Sequence, residues 1–571
     1  MLKIPYGISN FETIRTQNYL YVDKTHFIEE VEKTHNLLHL RPRRFGKSLF
    51  LSMIDCYYDV DRAHRFDELF SGLYVYEFPT KNRNNYYMLR FNFSGVQNVY
   101  KDDLMNGFVN KVRSGAQNFI NKYNFDIELI ESNSATDILV SLLDGFASLN
   151  LPNKIYMLID EYDHFTNSVL SGDGKEFLAV LRRGGFVRSF YEVIKEKSEL
   201  GIVERFFITG VMSVSLDSMT SGFNIVTNIT TDETFADMMG FSSKEVKGAL
   251  KLPFSDAGRI EKKVQLTDLE QSNIYEVFRE SYNGYLFSSN SLTKVFNSTL
   301  IMYYLKHYVD KRREPDSLVD VNLNQSGATI ESIVELKNKE ANYELIQQFV
   351  EDKELEGALQ PFINIDKKFD EDDVITMLFN IGILTIQNLN GHVRFVMPNK
   401  IIERIYYQYL SDLTQKKVDY QINSRKRTIA LNKLKEMGNI ENVTKLVEEF
   451  LMHISNRNLV KFDEKYVKLV YLMILAATDQ FLVYDEFPVG NGFVDILIKK
   501  SHGNHTRYNV LIELKYIKKS ETTGQRIESK LQAGITQVEN YLKDERVSVL
   551  DDLKKYVIVF SGYEVVKIEE I

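Results

Sequence analysis

Gly46-Lys47-Ser48 closes a run, Arg41-Pro-Arg-Arg-Phe-Gly-Lys-Ser48, whose residue types suit phosphate binding. Backbone N–H groups at a helix N-terminus wrap phosphate oxygens, a lysine neutralises the β and γ groups, and a Ser or Thr hydroxyl holds Mg²⁺. Arg41 stands where the pattern G-x-x-x-x-G-K-[ST] has its first glycine. With Pro42, Arg43 and Arg44 it is expected to make the loop stiffer and more cationic than usual, binding phosphate well and turning over slowly. Ile155-Tyr-Met-Leu-Ile-Asp-Glu161 supplies the complementary half: an apolar strand, then Asp160 for the Mg²⁺ shell and Glu161 to polarise the attacking water. Thr209, after Phe206-Phe-Ile208, is the candidate reporter on the γ-phosphate. The expected ligand is ATP with Mg²⁺, held by Arg43, Arg44, Phe45, Gly46, Lys47, Ser48, Leu49, Asp160 and Thr209, with Ser48 and Asp160 on the metal. Alone, Gly-Lys-Ser is also a surface turn and Asp-Glu a capped strand end; their order along the chain favours a nucleotide site.

A second constellation lies near the other end. Asp495 follows Gly490-Asn-Gly-Phe-Val, and Val510-Leu-Ile-Glu-Leu-Lys515 follows a short polar hairpin. Side chains alternate along a strand, so Glu513 and Lys515 share one face while Leu514 faces the core and leaves its carbonyl as a candidate metal ligand. Carboxylates at a strand end suit the hard divalent cations that phosphodiester hydrolysis needs, Mg²⁺ or Mn²⁺, and a nearby lysine can position water. Gln537 and Tyr541 follow at i and i+4, on one helical face. The bland reading is an exposed E-x-K edge pattern.

The elements that must position these groups follow from periodicity. Over 1–230, helical periods alternate with short apolar runs at Leu37–Leu40, Leu89–Phe93, Ile155–Ile159 and Arg205–Ile208, the rhythm of an α/β P-loop sheet with crossover helices. Ser48–Tyr58 has helical spacing. Residues 231–420 read as a helical lid and a winged-helix-like region, with Phe241-Ser-Ser-Lys-Glu245 a capped helix start and a hairpin of Ile383–Ile386 and His392–Met397 around Asn390-Gly391. Residues 421–571 form a second α/β domain. Asn442–Ala477 is helical; strands follow at Phe481–Tyr484, Phe493–Ile498, Asn509–Leu514 and Tyr556–Phe560, with a helix near Leu531–Leu542.

Composition bounds the class. With 571 residues the chain exceeds one compact core, and 44% apolar with 26% charged residues is ordinary for globular protein. Cys56 is the sole cysteine, which excludes an intramolecular disulfide and fits a reducing compartment. The start lacks an apolar stretch of signal-peptide kind, and the longest apolar run, Leu469–Ala477, falls short of the ~20 residues of a spanning helix. The expectation is a cytoplasmic protein without a membrane partner. A net charge of −9 argues against generalised polyanion binding. Two local patches are basic: Lys416–Lys435, with seven Lys or Arg against one Asp, and Lys499–Lys519, with six against one Glu. Both are candidate nucleic-acid contacts, or else solvated faces.

The C-terminal arrangement resembles the PD-(D/E)xK nuclease superfamily, and its glutamine-x-x-x-tyrosine helix resembles that of RecB-type members. The resemblance implies a restriction-endonuclease-like α/β domain, Asp495 and Glu513 as metal ligands, Lys515 as the water-orienting residue, and Gln537 and Tyr541 in support. It also implies an acid from the preceding helix: Glu464 is best placed, with Glu486 its competitor. Along nearly its whole length the chain resembles bacterial proteins that join an AAA-ATPase-like region to such a nuclease. The matching stretches include Gly7-Ile-Ser-Asn-Phe11, Tyr21-Val-Asp-Lys-Thr25, Arg41–Leu49, Ile159-Asp-Glu-Tyr-Asp163, Ile208-Thr-Gly-Val211, Ser221-Gly-Phe-Asn224, Tyr282-Asn-Gly-Tyr285 and Met397-Pro-Asn-Lys400. In that light Arg41 is a family trait. Val295-Phe-Asn-Ser298 departs from the family's Asn-Pro, which is expected to alter a lid turn and not the chemistry. Asp23 and Lys24 could reach the base side of a nucleotide; a helix cap and a surface charge is the favoured reading.

The first functional reading is an ATP-regulated, divalent-metal-dependent nuclease acting on DNA, with defence against foreign DNA as an analogy. The alternative is a nucleotide-switched scaffold whose nuclease-like domain binds without cutting. A third is a ring-forming motor, hence a homo-oligomer, with Arg182, Arg183 and Arg205 as arginine-finger candidates.

Overall fold

The computed structural model describes residues 1–95, 101–164, 185–213, 225–255, 263–319, 326–336, 338–363, 370–389, 392–455, 463–478, 481–490, 492–500 and 506–571. Arg182, Arg183, Ser221–Asn224, Asn390-Gly391 and Asn491 lie outside the described residues. The chain forms two compact units, Met1–Asp310 with Ala328–Asn399, and Lys311–Gly327 with Lys400–Ile571.

The first unit is built on a five-stranded sheet of β1 (Asn36–Leu40), β2 (Tyr86–Asn92), β3 (Lys154–Asp160), β4 (Val203–Gly210) and β5 (Thr227–Asn228). Its order is β2-β3-β4-β1-β5 and every pairing is parallel. Parallel strands are covered by helices on both faces and need continuous apolar runs. Ile155–Ile159 meets that requirement, and all five side chains are buried. In such sheets ligands gather at the carboxyl ends of the strands. The Arg41–Ser48 loop leaves the end of β1 and enters helix α1 (Lys47–Tyr58), while Asp160 and Gly210 are the last residues of β3 and β4. Helix α2 (Lys101–Tyr123) packs on the edge strand β2.

The middle of the chain is helical, and Ser242 and Glu245 form a capping box at the start of Ser243–Leu250, as its sequence indicated. Strands Thr385–Leu389 and His392–Val396 pair as the expected antiparallel hairpin. A third strand, Glu354–Glu356, joins them; its charged Glu-Leu-Glu carries no strand signal. Gly284 has φ +100, and a Cβ there would sit 1.8 Å from the Pro398 carbonyl oxygen. Asn399 donates to the Asn283 carbonyl at 2.8 Å. The Tyr282–Tyr285 and Met397–Asn399 stretches are therefore two sides of one contact.

In the second unit, helices Lys400–Val418, Ser424–Met437, Glu441–Ser455 and α4 (Glu464–Leu475) precede a five-stranded sheet. Its strands, β6 (Leu482–Val489), β7 (Gly492–Lys499), β8 (Asn509–Ile517), β9 (Leu553–Ser561) and β10 (Glu564–Glu570), lie in sequence order. All neighbours are antiparallel except β8 and β9, which are parallel and joined through helix α5 (Gly524–Tyr541). Helix α5 starts seven residues before the expected Leu531, because Thr523 caps the N–H of Arg526 and the first turns are polar. Among the described residues no helix is long and apolar enough to cross a membrane.

Candidate functional site

In the first unit, the loop between β1 and α1 turns through Arg44 (φ +73) and Gly46 (φ +98). No side chain caps α1 at Gly46, so its N-terminal N–H groups are left for a ligand. A cavity of about 420 Å³ opens over this turn, lined by Arg43, Arg44, Phe45, Gly46, Lys47, Ser48 and Leu49, and by Glu161. The lining also includes the apolar Ile8, Val22, Met238, Phe241 and Met302. The lining combines cationic groups that suit phosphates with apolar ones that suit a base.

Lys47 is buried, and its ammonium donates to the carbonyls of Arg41 and Pro42, each at 2.9 Å. Burial pulls it down to about 8, against the opposing fields of Asp163, Asp160 and Glu161. Asp160 is wholly buried, and neither of its oxygens completes a hydrogen bond of good geometry. Burial raises it above the usual carboxylate range, opposed by the facing Ser48 hydroxyl and by the Lys47 and Arg90 cations. A buried carboxylate with two vacant acceptors beside a serine hydroxyl fits a hard divalent cation carried with nucleotide phosphates. Glu161 has φ +51 and lies 3.3 Å from His164 Nδ1, the contact that lowers its pKa most. Thr209 is buried outside the cavity wall and donates to the His39 carbonyl at 2.9 Å.

Several expectations change here. Arg41 adds no charge to the phosphate face: it is 1% exposed and donates to the carbonyls of Leu40, Thr230 and Phe235 while stacking on Phe287. Burial lowers its pKa to about 9. Arg205 is no arginine finger, because it is buried and donates to the Glu32 and Thr34 carbonyls. Lys24 is not a surface charge; it is buried, pairs with Glu245 at 2.7 Å and lines the cavity. Asp23 accepts from Thr25 and from the N–H of Tyr74, the first residue of a short helix, so it is a cap. Ser298 begins helix α3 (Ser298–Lys311) and donates to the Arg44 carbonyl at 3.3 Å, which ties the lid turn to the loop. Sequence reading gave Asp163 no individual role. Its Oδ2 accepts the N–H groups of Val211 and Met212, joining the tips of β3 and β4.

In the second unit, β7 and β8 are paired as far as Ile496 opposite Ile512, and Asp495 and Glu513 come next in that register. There the backbone ladder ends. The Leu514 N–H instead donates to Asp495 Oδ2 at 2.8 Å. Glu513 is 2% exposed; its Oε1 accepts from Lys515 at 2.6 Å, and its Oε2 completes no hydrogen bond of good geometry. Lys515 also donates to the Leu514 carbonyl at 2.8 Å. Burial first, then the Asp495 charge, raises Glu513 to about 7. Asp495 is raised by burial too, with Glu464 adding to it.

Glu464, at the start of α4, is half-buried, and its charge acts on Asp495, Glu513 and Tyr541. Glu486 is about half exposed and pairs with Lys468 at 2.6 Å. Tyr541 is buried on α5 with its hydroxyl toward Glu513 and its ring over Gly492; burial raises its pKa. Gln537 is exposed one turn earlier. Helix α5 approaches this closely because Gly534 has no side chain: a Cβ there would lie 2.5 Å from Val557 and 3.5 Å from Lys515. Lys468, one turn after Glu464, carried no sequence signal, yet its charge acts on Asp495 and it pairs with Asp485 at 3.1 Å. Among the described residues no group of three or more His, Cys, Asp or Glu is arranged to hold a metal. The two carboxylates, with the vacant Glu513 Oε2, are the donors that fit one.

Two family profiles match the chain. Residues 5–220 match the AAA-ATPase-like family, described as "Predicted AAA-ATPase", and residues 462–570 match the PD-(D/E)XK nuclease superfamily. The chain is also similar to an "Uncharacterized protein in vnfD 5'region" of Azotobacter chroococcum mcd 1, at 27% identity over 326 residues. That match covers 56% of this chain and 56% of the relative, about half the length of each.

Proposed function

We propose that this chain, with an AAA-ATPase-like domain ahead of a PD-(D/E)XK nuclease superfamily domain, is a nuclease that cuts DNA with a divalent cation under the control of ATP. The observation that carries the cutting is the convergence of Asp495, Glu513 and Lys515, with Glu513 Oε2 buried and unbonded. Asp495, Glu513 and the Leu514 carbonyl would hold Mg²⁺ or Mn²⁺, which supplies Lewis acidity at a phosphoryl oxygen. Lys515 holds the Glu513 carboxylate in place and is the group positioned to orient water. Tyr541 closes the wall beside Glu513, and Gln537 stands exposed on the same helix to meet the backbone.

In the first domain Lys47 and the α1 N-terminus would take the phosphates, and Ser48 and Asp160 the accompanying Mg²⁺. Glu161 is assigned to the attacking water, and Thr209, buried behind the cavity wall, is the candidate reporter on the γ-phosphate. Lys47 is held by its own loop carbonyls, so phosphate binding must draw it off Arg41 and Pro42. Ser298 and Thr299 bond the Arg44 carbonyl, and Gly240 bonds that of Phe45, so a loop shift would be felt by the helical region. This supports a switch more than a motor. Defence against foreign DNA is a role for such chemistry by analogy alone.

A second reading is a scaffold that binds nucleic acid without cutting; its supporting observation is that Glu513 already accepts from Lys515 at 2.6 Å and Asp495 from the Leu514 N–H at 2.8 Å. The test is cleavage of linear, circular and single-stranded DNA in Mg²⁺ or Mn²⁺, with and without ATP, beside Glu513→Ala. Metal-dependent cutting that Glu513→Ala abolishes and ATP alters supports the first reading. A protein that binds ATP and cuts nothing under any of these conditions supports the second.

A further inference from the structure

A second cavity, of about 360 Å³, lies between α1, α2 and the edge strand β2. Lys111, Ser114, Asn118 and Lys122 line it at spacings that put them along one face of α2, and Arg90 and Asn92 enter from β2. Helix α2 can lie so close because residue 115 is glycine: a Cβ there would meet Phe91 at 2.6 Å and the Arg90 carbonyl at 2.9 Å.

The cations here are unequally used. Lys122 is committed to Asp59 at 2.6 Å and reaches Asp55 at 3.6 Å. Arg90 has only a loose approach to Asp160, at 3.9 Å. Lys111 has no acidic partner among the described residues, and the side chains of Ser114 and Asn118 make no hydrogen bond there. Asp55 is the one carboxylate on the cavity wall; Lys122 faces it and burial favours its neutral form. Two under-used cations, a hydroxyl and an amide thus converge on one concave space next to a single compensated acid. That is the donor pattern of an oxyanion site.

We propose that this cavity is a second phosphate site, taking the phosphate group of a small ligand, with Arg90 and Lys111 as its charged contacts and Ser114 and Asn118 as neutral ones. Residues of the nucleotide cavity are absent from its wall. Arg90 is shared between this cavity and Asp160, so an occupant would compete with Asp160 for the same guanidinium.

The test is calorimetric titration of the full-length protein with inorganic pyrophosphate, in EDTA, in a Lys47→Ala background that disables the nucleotide loop. Circular dichroism checks that the background is folded. One site is expected to remain. Adding Lys111→Glu is expected to weaken it about tenfold or more, roughly the loss of one charged contact with a repulsion in its place, while Lys111→Arg retains it. Asn118→Asp, at an exposed position, is a second variant with the same expected direction. A parallel titration with adenosine monophosphate separates the sources: tighter binding than pyrophosphate assigns a nucleotide, weaker binding a free polyphosphate. Absence of pyrophosphate and adenosine monophosphate binding in the folded Lys47→Ala protein overturns the proposal, as does binding that Lys111→Glu and Asn118→Asp leave unchanged.

Discussion

Asp495 accepts the backbone N–H of Leu514 at 2.8 Å, which fastens a carboxylate of β7 to the peptide between Glu513 and Lys515 on β8. The bond replaces a ladder bond where the two strands part. It satisfies a backbone donor that would otherwise be buried alone.

Asp495→Asn retains an acceptor for that N–H and so tests charge apart from fold. The variant is expected to keep its thermal transition within a few degrees and to lose DNA cleavage by about a thousandfold, the scale of a lost metal contact worth several kcal/mol. Cleavage rates with linear DNA in Mn²⁺, beside a melting curve, check both halves.

Metal-free stability should fall as pH rises from about 5 to 7.5. Glu513 titrates near 7 in the folded chain, above its ordinary 4.5, so the folded state binds more protons than the unfolded in that window. The favourable contribution is complete below the unfolded value and is lost as pH passes the folded one. The loss is on the order of 2 kcal/mol, and Glu513→Gln should remove it. Denaturant titrations of both proteins in EDTA at pH 5 and 7.5 measure the difference; equal slopes in wild type and variant would contradict the assignment.

Nucleotide affinity should decline above pH 8. Burial brings Lys47 down to about 8, so at higher pH the free protein carries a neutral amine that must gain a proton before it can pair with phosphate. The ATP dissociation constant is expected to rise toward tenfold per unit between pH 8.5 and 9.5, with no such dependence in Lys47→Ala, which binds weakly throughout.

Gly284→Ala should destabilise the first unit. Its Cβ would fall 1.8 Å from the Pro398 carbonyl at φ +100, so both clash and backbone strain oppose it. A cost of about 3 kcal/mol or more follows. The first thermal transition should drop by at least about 5 °C, while Gly248→Ala, where a Cβ meets nothing within 4 Å, should leave it unchanged or raise it.

Local periodicity by itself determined the strands that lead to Lys47 and Asp160, the shared face of Glu513 and Lys515, and the placing of Gln537 and Tyr541 one turn apart on a helix, because these follow from backbone repeats of two and of about four residues. The capping box at Ser242 was legible for the same reason: its partners are three residues apart. Only the tertiary structure shows what Glu464, the better placed of the two in sequence, and its competitor Glu486 each face. Packing brings the charge of the first to bear on Asp495 and Glu513 and hands the second to Lys468. It likewise took Arg41 out of the phosphate loop, since its partners are the Leu40 carbonyl beside it and the carbonyls of Thr230 and Phe235, far along the chain. Spacing can predict which side chains share a face, but whether a charge meets solvent, a phosphate or a buried carbonyl depends on elements that are distant in sequence and adjacent only in the fold.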